Sequence, residues 1–192
     1  MGFFVSFYFF LITKEIRGSI FHTLWSYMFF CWSLGILSEI KFKVIFSLTD
    51  FLQEFQQSTA IIIKFLIAQL QFFSISTFFF NDKLIFFSFP LFLVILFYFI
   101  KNFKNLTDVY KLKHIKYFNL LSLIGSLYIF LQFNYTGSIF MFIGMVITYL
   151  SVDIYNSKIK FLEGFNHREL YNCMQGLAII FFYRGGVEIP PF

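Results

Sequence analysis

Residues 118–152, FNLLSLIGSLYIFLQFNYTGSIFMFIGMVITYLSV, contain no charged side chain. A continuous α-helix of this length would measure about 50 Å, whereas the hydrocarbon core of a bilayer is about 30 Å thick. The stretch must therefore tilt, break or fold back in a membrane. Residues 134–137 (Asn-Tyr-Thr-Gly) lie at its centre and mark a place where helix geometry changes. A single interrupted helix and a hairpin of two short helices both fit this pattern.

Three further stretches approach or exceed the roughly 20 apolar residues that a spanning helix needs. They occupy residues 18–38, 60–80 and 84–100. Residues 172–183 form a shorter segment, which we interpret as interfacial or buried in protein. Residues 3–12 are too short to span alone, and residues 184–192 are predicted to form a non-helical tail. The sequence predicts one all-α, polytopic membrane domain over residues 1–192, with about four to five spans.

The amino-acid composition also indicates a membrane protein. Phenylalanine accounts for 35 of the 192 residues, 59% of the chain is hydrophobic and 13% is charged. Soluble domains carry about 25% charged residues and rarely expose large apolar patches. The net charge of +5 comes largely from lysines between the apolar runs. This pattern indicates that the lysines face one side of the membrane. We expect no nucleic-acid partner.

Orientation follows from the lysine-rich connection at residues 101–116, which should stay on the side of synthesis. That side is the matrix if the protein is mitochondrial. We find no convincing cleavable signal or transit peptide, and this favours a protein made inside the organelle. Four spans would leave both termini on one face and five would separate them.

Few residues suggest chemistry. Lys64 is the one charge well inside a predicted span, where a charged group raises a functional hypothesis such as a proton relay. Its place near the span end favours the alternative that its stem snorkels to the interface. Gln69 and Gln71 lie deeper and are expected to form hydrogen bonds between helices.

Catalytic and metal motifs are missing from the sequence. The cysteines, Cys31 and Cys173, are far apart and are expected to be packed, inert thiols. The histidines do not form the matched pair that haem needs. Glu39 and Asp153 are interpreted as hydrated boundary charges. We therefore predict no catalytic residue, cofactor or metal site.

The bias toward Phe, Ile and Lys, with only three alanines, resembles the divergent proteins encoded in ciliate mitochondrial genomes. Residues 132–139 (Gln-Phe-Asn-Tyr-Thr-Gly-Ser-Ile), followed by an apolar run over 140–150, resemble the third helix of NADH:ubiquinone oxidoreductase chain 6. This resemblance implies that Tyr135 and Gly137 flank a π-bulge that rearranges during turnover.

The resemblance implies a multi-pass subunit of the mitochondrial inner membrane, in the complex I arm that couples ubiquinone reduction to proton translocation. Such a subunit would have no redox centre of its own. Its expected partners are other membrane subunits of the respiratory chain and phospholipids such as cardiolipin. The alternative is a structural subunit of ATP synthase or cytochrome c oxidase. A free-standing transporter is disfavoured, because polar residues for a solute site at mid-membrane are lacking.

Overall fold

The computed structural model describes residues 2–15, 19–39, 50–80, 82–102, 108–133, 135–157 and 167–190. Over these residues the chain is helical and contains no strand. The seven helices are α1 (Gly2–Glu15), α2 (Ile20–Glu39), α3 (Asp50–Ser76), α4 (Asp82–Lys101), α5 (Asp108–Gln132), α6 (Thr136–Ser157) and α7 (His167–Glu188). A helix satisfies its main-chain N–H and C=O groups internally, as a hydrocarbon solvent requires.

Within the described residues, four helices are long and apolar enough to cross a bilayer. The spanning windows are Ile20–Leu37 in α2, Ser58–Ser76 in α3, Lys113–Gln132 in α5 and Thr136–Tyr155 in α6. Helix α4 occupies the stretch 84–100 that was also predicted to span. The predicted fold class, an all-α polytopic membrane protein, is confirmed.

The uncharged stretch forms a helical hairpin, so the alternative of one interrupted helix is excluded. Contacts at both ends of α5 and α6 show that they run antiparallel. The Lys116 ammonium bonds the Asp153 carboxylate, and the rings of Phe130 and Phe142 stack with centroids 5.9 Å apart. Each helix continues into the charged flanks of the stretch. The hairpin therefore consists of two full-length helices rather than two halves of about 15 residues.

Helices α6 and α7 approach closely because glycines lie in their interface. A Cβ on Gly137 would meet the carbonyl oxygen of Gly185 at 2.7 Å. A Cβ on Gly144 would meet the Phe182 ring at 2.7 Å. Small residues at membrane helix interfaces allow the van der Waals contact that holds helices together where lipid is as apolar as the side chains.

An aromatic cluster forms the core where α2 meets α1, α3 and α7. Phe21, Trp25 and Phe29 of α2 are fully buried. The Trp25 ring meets Phe182 of α7 edge-on at 5.4 Å, and Phe21 meets Phe78, just after α3, at 5.1 Å. Edge-to-face ring pairs of this kind add about 0.5–1.5 kcal/mol to the burial of their area.

These contacts define two ends of the bundle. The lysine end carries Lys64 of α3, Lys116 of α5 and Asp153 of α6. The opposite end carries His22 of α2, whose Nε2 lies 3.1 Å from the carbonyl oxygen of Ile189 after α7. Helices α3, α5 and α7 run away from the lysine end, and α2 and α6 run toward it.

The two short apolar segments of the sequence belong to longer helices. Residues 3–12 lie in α1, which packs along α2 with Phe10 against Phe30 at 5.2 Å. Phe9 of α1 also stacks on Tyr183 of α7 at 4.0 Å. Residues 172–183 lie within the 22-residue helix α7. Both segments are thus parts of the helix bundle.

The prediction of a non-helical tail was wrong over most of its length. Helix α7 continues to Glu188 through the adjacent glycines 185 and 186. These glycines do not end the helix because neighbouring groups fill the space that side chains would take. Gly185 packs on α6, and a Cβ on Gly186 would meet the Trp25 ring at 2.5 Å. An ion pair from Arg184 to Glu188, at 2.6 Å, links the last turn.

Candidate functional site

The ammonium of Lys64 lies between aromatic rings from two other helices. Its Nζ is 4.8 Å from the ring centroid of Tyr171 in α7 and 5.7 Å from that of Tyr155 in α6. The two rings meet each other edge-on at 5.3 Å, and His167 packs on Tyr155 at 5.9 Å. A cation over an aromatic face gains about 0.5–2 kcal/mol, more where water is excluded. We call Lys64, Tyr155 and Tyr171 the lysine cage.

The position of Lys64 agrees in part with the prediction that its side chain snorkels to the membrane interface. Helical side chains lean toward the N-terminus of their helix, which directs Lys64 of α3 to the lysine end. Lys64 is half-buried, and its ammonium contacts rings of α6 and α7. The charge therefore links three helices of the bundle. The two tyrosines could not be identified from sequence, because nothing in their spacing relates them to Lys64.

An ion pair lies at the same end, between α5 and α6. Lys116 Nζ and Asp153 Oδ1 are 2.5 Å apart, and Lys116 also lies 5.1 Å from the ring centroid of Tyr149. The Asp153 side chain is 47% exposed, so the predicted boundary position holds while the pairing was missed. The available signal was symmetry, because Lys116 and Asp153 flank the uncharged stretch and a hairpin brings its two ends together.

A polar contact joins α6 and α7 one turn deeper than the lysine cage. Gln175 Nε2 donates to Ser151 Oγ at 2.5 Å, and the Ser151 hydroxyl donates in turn to the Thr148 carbonyl at 2.7 Å. Hydroxyl bonds to the preceding turn also occur at buried Ser26, Ser33, Ser74 and Ser126. Such bonds satisfy serine in a hydrocarbon environment without a partner helix.

Deeper still, five buried polar side chains carry atoms that lack a hydrogen-bond partner among the described residues. Both amide atoms of Gln69 and both of Gln71 are in this state. The others are Asn119 Oδ1, Ser122 Oγ and Thr148 Oγ1. All five side chains are buried. The inter-helix hydrogen bonds predicted for Gln69 and Gln71 are therefore absent from the described part of the chain, and that prediction was wrong.

Tyr135 and Gly137 lie at the opposite end, away from the lysine cage. Tyr135 is in the connection between α5 and α6, and Gly137 is in the first turn of α6. The described residues 136–157 are α-helical throughout, with no π-helical turn among them. The rearrangement that the resemblance implies for Tyr135 and Gly137 stays a prediction. A cleft of about 180 Å³ lies beside Tyr135, lined also by Thr77, Phe78 and Phe133.

His22 and Trp25 connect α2 to the last turns of α7. The Trp25 indole N–H donates to the Phe182 carbonyl at 3.0 Å, and the His22 imidazole reaches the Ile189 carbonyl. Ser19 accepts from the His22 main-chain N–H at 3.3 Å and thus caps α2. The Ile189 carbonyl lies beyond the end of α7 and has no intrahelical donor, so the His22 imidazole supplies a partner that lipid cannot. Phe182 lies inside α7, and the Trp25 indole adds a second donor to its carbonyl.

Metal ligands and thiols do not assemble into a site in the described part of the chain. Groups of three or more His, Cys, Asp or Glu side chains are not found among those residues. Cys31 is buried as predicted, but Cys173 is exposed on α7, which corrects the prediction of two packed thiols. Comparison with protein-family models, curated proteins and solved structures finds no match for this chain.

Proposed function

We propose that the protein is a multi-pass membrane subunit of a mitochondrial respiratory complex, in the membrane arm of complex I. In this proposal the subunit contributes to the coupling of proton translocation and carries no redox centre. Three features support it. They are the resemblance of the composition to that of proteins encoded in ciliate mitochondrial genomes, the resemblance at residues 132–150 and the polar groups inside the helix bundle.

The observation that carries the coupling role is the lysine cage. Charged side chains within membrane helices are rare because they are costly, and they mark ion and proton pathways in functional membrane proteins. Lys64 carries an ammonium group at membrane depth, and the tyrosine rings around it hold that ammonium by their π-faces. Because the rings belong to α6 and α7, a shift of these helices relative to α3 would change the surroundings of that ammonium.

Gly137 gives this proposal a structural element that can move. The contact of Gly137 with Gly185 allows α6 and α7 to touch main chain to main chain at the opposite end. The Ile189 side chain packs beside this contact, and the Phe182 ring packs on Gly144 two turns further along α6. We propose that displacement of α6 against α7 there, adjoining Tyr135, is transmitted along α6 to Tyr155 in the lysine cage.

The first test is assembly. An affinity-tagged chain, extracted from inner membranes in mild detergent, should migrate on a native gel with complex I activity. Migration with ATP synthase or cytochrome c oxidase would overturn the assignment to complex I and support the alternative below.

The second test is coupling. Lys64→Met should lower the protons translocated per NADH oxidised while the complex remains assembled. Lys113→Met is the matched control, since Lys113 is an exposed lysine of the same end beside the single ring of Tyr117. Equal proton translocation in the two variants would exclude a coupling role for Lys64.

A structural subunit of ATP synthase or cytochrome c oxidase is the second candidate, and helix α4 favours it. The second half of α4 exposes a run of large apolar side chains, with Val94, Phe97 and Tyr98 each more than 60% exposed. Phe99 of this half packs on Phe65 of α3 at 4.0 Å, which leaves the exposed apolar side chains free for lateral contact with a neighbouring membrane subunit.

A further inference from the structure

We infer that ordered water binds inside the bundle, in a polar layer at one level of the membrane. The polar layer consists of Gln69 and Gln71 of α3, Asn119 and Ser122 of α5, and Thr148 of α6. Each carries at least one buried atom without a hydrogen-bond partner among the described residues. The inference concerns hydration alone and does not depend on the complex to which the chain belongs.

Side-chain contacts place the α3 and α5 members at one level. Phe65 and Phe72 both meet Phe118, with ring centroids 5.6 and 5.7 Å apart. About two turns further along α5, Gly125 packs against Ile75. The two helices therefore run side by side in the same direction. On α3 the two glutamines lie between Phe65 and Ile75. On α5 the asparagine and the serine lie between Phe118 and Gly125, so the four side chains are at the same level.

The α6 member joins this level through the hairpin. Lys116 pairs with Asp153 at one end, and Phe130 stacks on Phe142 toward the other. Thr148 lies five residues before Asp153 in an antiparallel helix, which sets it opposite residue 121, five residues after Lys116. Thr148 is thus level with Ser122 of α5, and Asn119 lies about one turn nearer the lysine end.

The chemistry of the orphaned atoms selects water over other ligands. In each glutamine both the Nε2 donor and the Oε1 acceptor lack a partner. A bound cation would satisfy only the oxygens, whereas water donates and accepts. Lipid head groups and a neighbouring subunit cannot serve, because each of these atoms exposes less than 1 Å². Buried polar groups in proteins are satisfied by protein or by ordered water.

The polar layer also lies close to a charged group. Gln71 follows Lys64 by seven residues, which is two helical turns and the same face of α3. Water in the polar layer would therefore begin about 10 Å from the Lys64 backbone, at 1.5 Å rise per residue. Hydration would extend from the lysine end toward the middle of the bundle.

Water-edited solid-state NMR on the full ¹⁵N-labelled chain in lipid bilayers tests this inference. We expect polarisation transfer from water to the Gln69 and Gln71 side-chain amides to be several-fold faster than transfer to the Trp25 indole. That indole is the internal dry reference, since it is fully buried and bonded to a carbonyl. Amide transfer as slow as at Trp25 would overturn the inference.

Two variants assign the signals and give a second readout. Gln69→Met and Gln71→Met each remove one pair of amide peaks with little change in side-chain volume. If the polar layer is hydrated, transfer to the glutamine amide that remains in each variant should stay fast, and neither variant should raise the thermal midpoint. A raised midpoint together with slow transfer in the unmodified chain would show that the layer is dry, because replacing an unsatisfied buried amide by an apolar group is stabilising.

Discussion

The indole nitrogen of Trp25 in α2 donates a hydrogen bond to the main-chain carbonyl of Phe182 in α7, at a distance of 3.0 Å. The same ring fills the space that a side chain at Gly186 would need. One residue thus supplies both a polar partner and the packing surface for the end of α7. Because the bond is buried among apolar rings, water cannot replace it.

Trp25→Phe should lower the free energy of unfolding by about 1–3 kcal/mol, through the lost hydrogen bond and the space left beside Gly186. Thermal unfolding of the reconstituted chain, followed by circular dichroism, measures the change. Tyr27→Phe on the same helix is the control, since Tyr27 is half-exposed and should change stability by less than about 0.5 kcal/mol. Equal effects of the two variants would contradict the structural role of the indole.

Alanine substitutions at two glycines, one in α6 and one in α7, are predicted to change the stability in opposite directions. Gly137→Ala should destabilise the protein by about 1–3 kcal/mol, because the new Cβ overpacks against the Gly185 carbonyl oxygen at 2.7 Å. Gly176→Ala should stabilise by about 1 kcal/mol, since nothing lies within 4 Å of that Cβ and alanine favours helix. The thermal midpoints of both variants, measured in the same lipid, decide the matter. A stabilising Gly137→Ala would mean that α6 and α7 are not in close contact there.

The helical elements and their solvent could be predicted from the sequence, because uncharged runs and helix length are local properties. The hairpin could not be distinguished from a bent helix, since counting only uncharged residues made each half too short to span. In the structure α5 and α6 gain length from Lys113, Lys116 and Asp153, which sit where the bundle meets water. The continuation of α7 to Glu188 could not be predicted either, because it depends on the packing of Gly185 against α6 and of Gly186 against Trp25 of α2.

Some residues of the candidate site could be recognised from the sequence, and others could not. Lys64 was recognisable as an isolated charge in an apolar run, and Gln69 as a polar group at depth. Their surroundings depend on which helices meet, and this is a long-range property of the fold. Tyr155 and Tyr171 look in sequence like ordinary interfacial tyrosines. The pair Tyr135 and Gly137 stood out by resemblance, yet the chain reversal puts them at the opposite end from the lysine cage.

The Lys116–Asp153 ion pair is predicted to contribute little on its own. Its side chains are 34% and 47% exposed, so water and salt screen the attraction, and the coupling energy should be about 0–1 kcal/mol. A double-mutant cycle with Lys116→Met and Asp153→Asn measures it at two salt concentrations. We expect the coupling to fall at higher salt. A salt-independent coupling well above about 1 kcal/mol would indicate that the pair is shielded from solvent.

The lysine cage gives the last prediction. In a double-mutant cycle with Lys64→Met and Tyr171→Leu, the coupling energy should be about 0.5–2 kcal/mol, because the ammonium lies 4.8 Å from that ring centroid inside the bundle. Tyr171→Phe should retain much of it, since the π-face remains.

The matched cycle uses Lys113→Met and Tyr117→Leu, an exposed pair at 5.9 Å. Here the coupling should be close to zero, because both groups are hydrated and either side chain can leave the contact without cost. Unfolding free energies measured in one lipid give both couplings. Additive effects in the Lys64 cycle would show that the tyrosine rings pack beside the charge without stabilising it, and the lysine cage would then lose its role in holding α3 to α7.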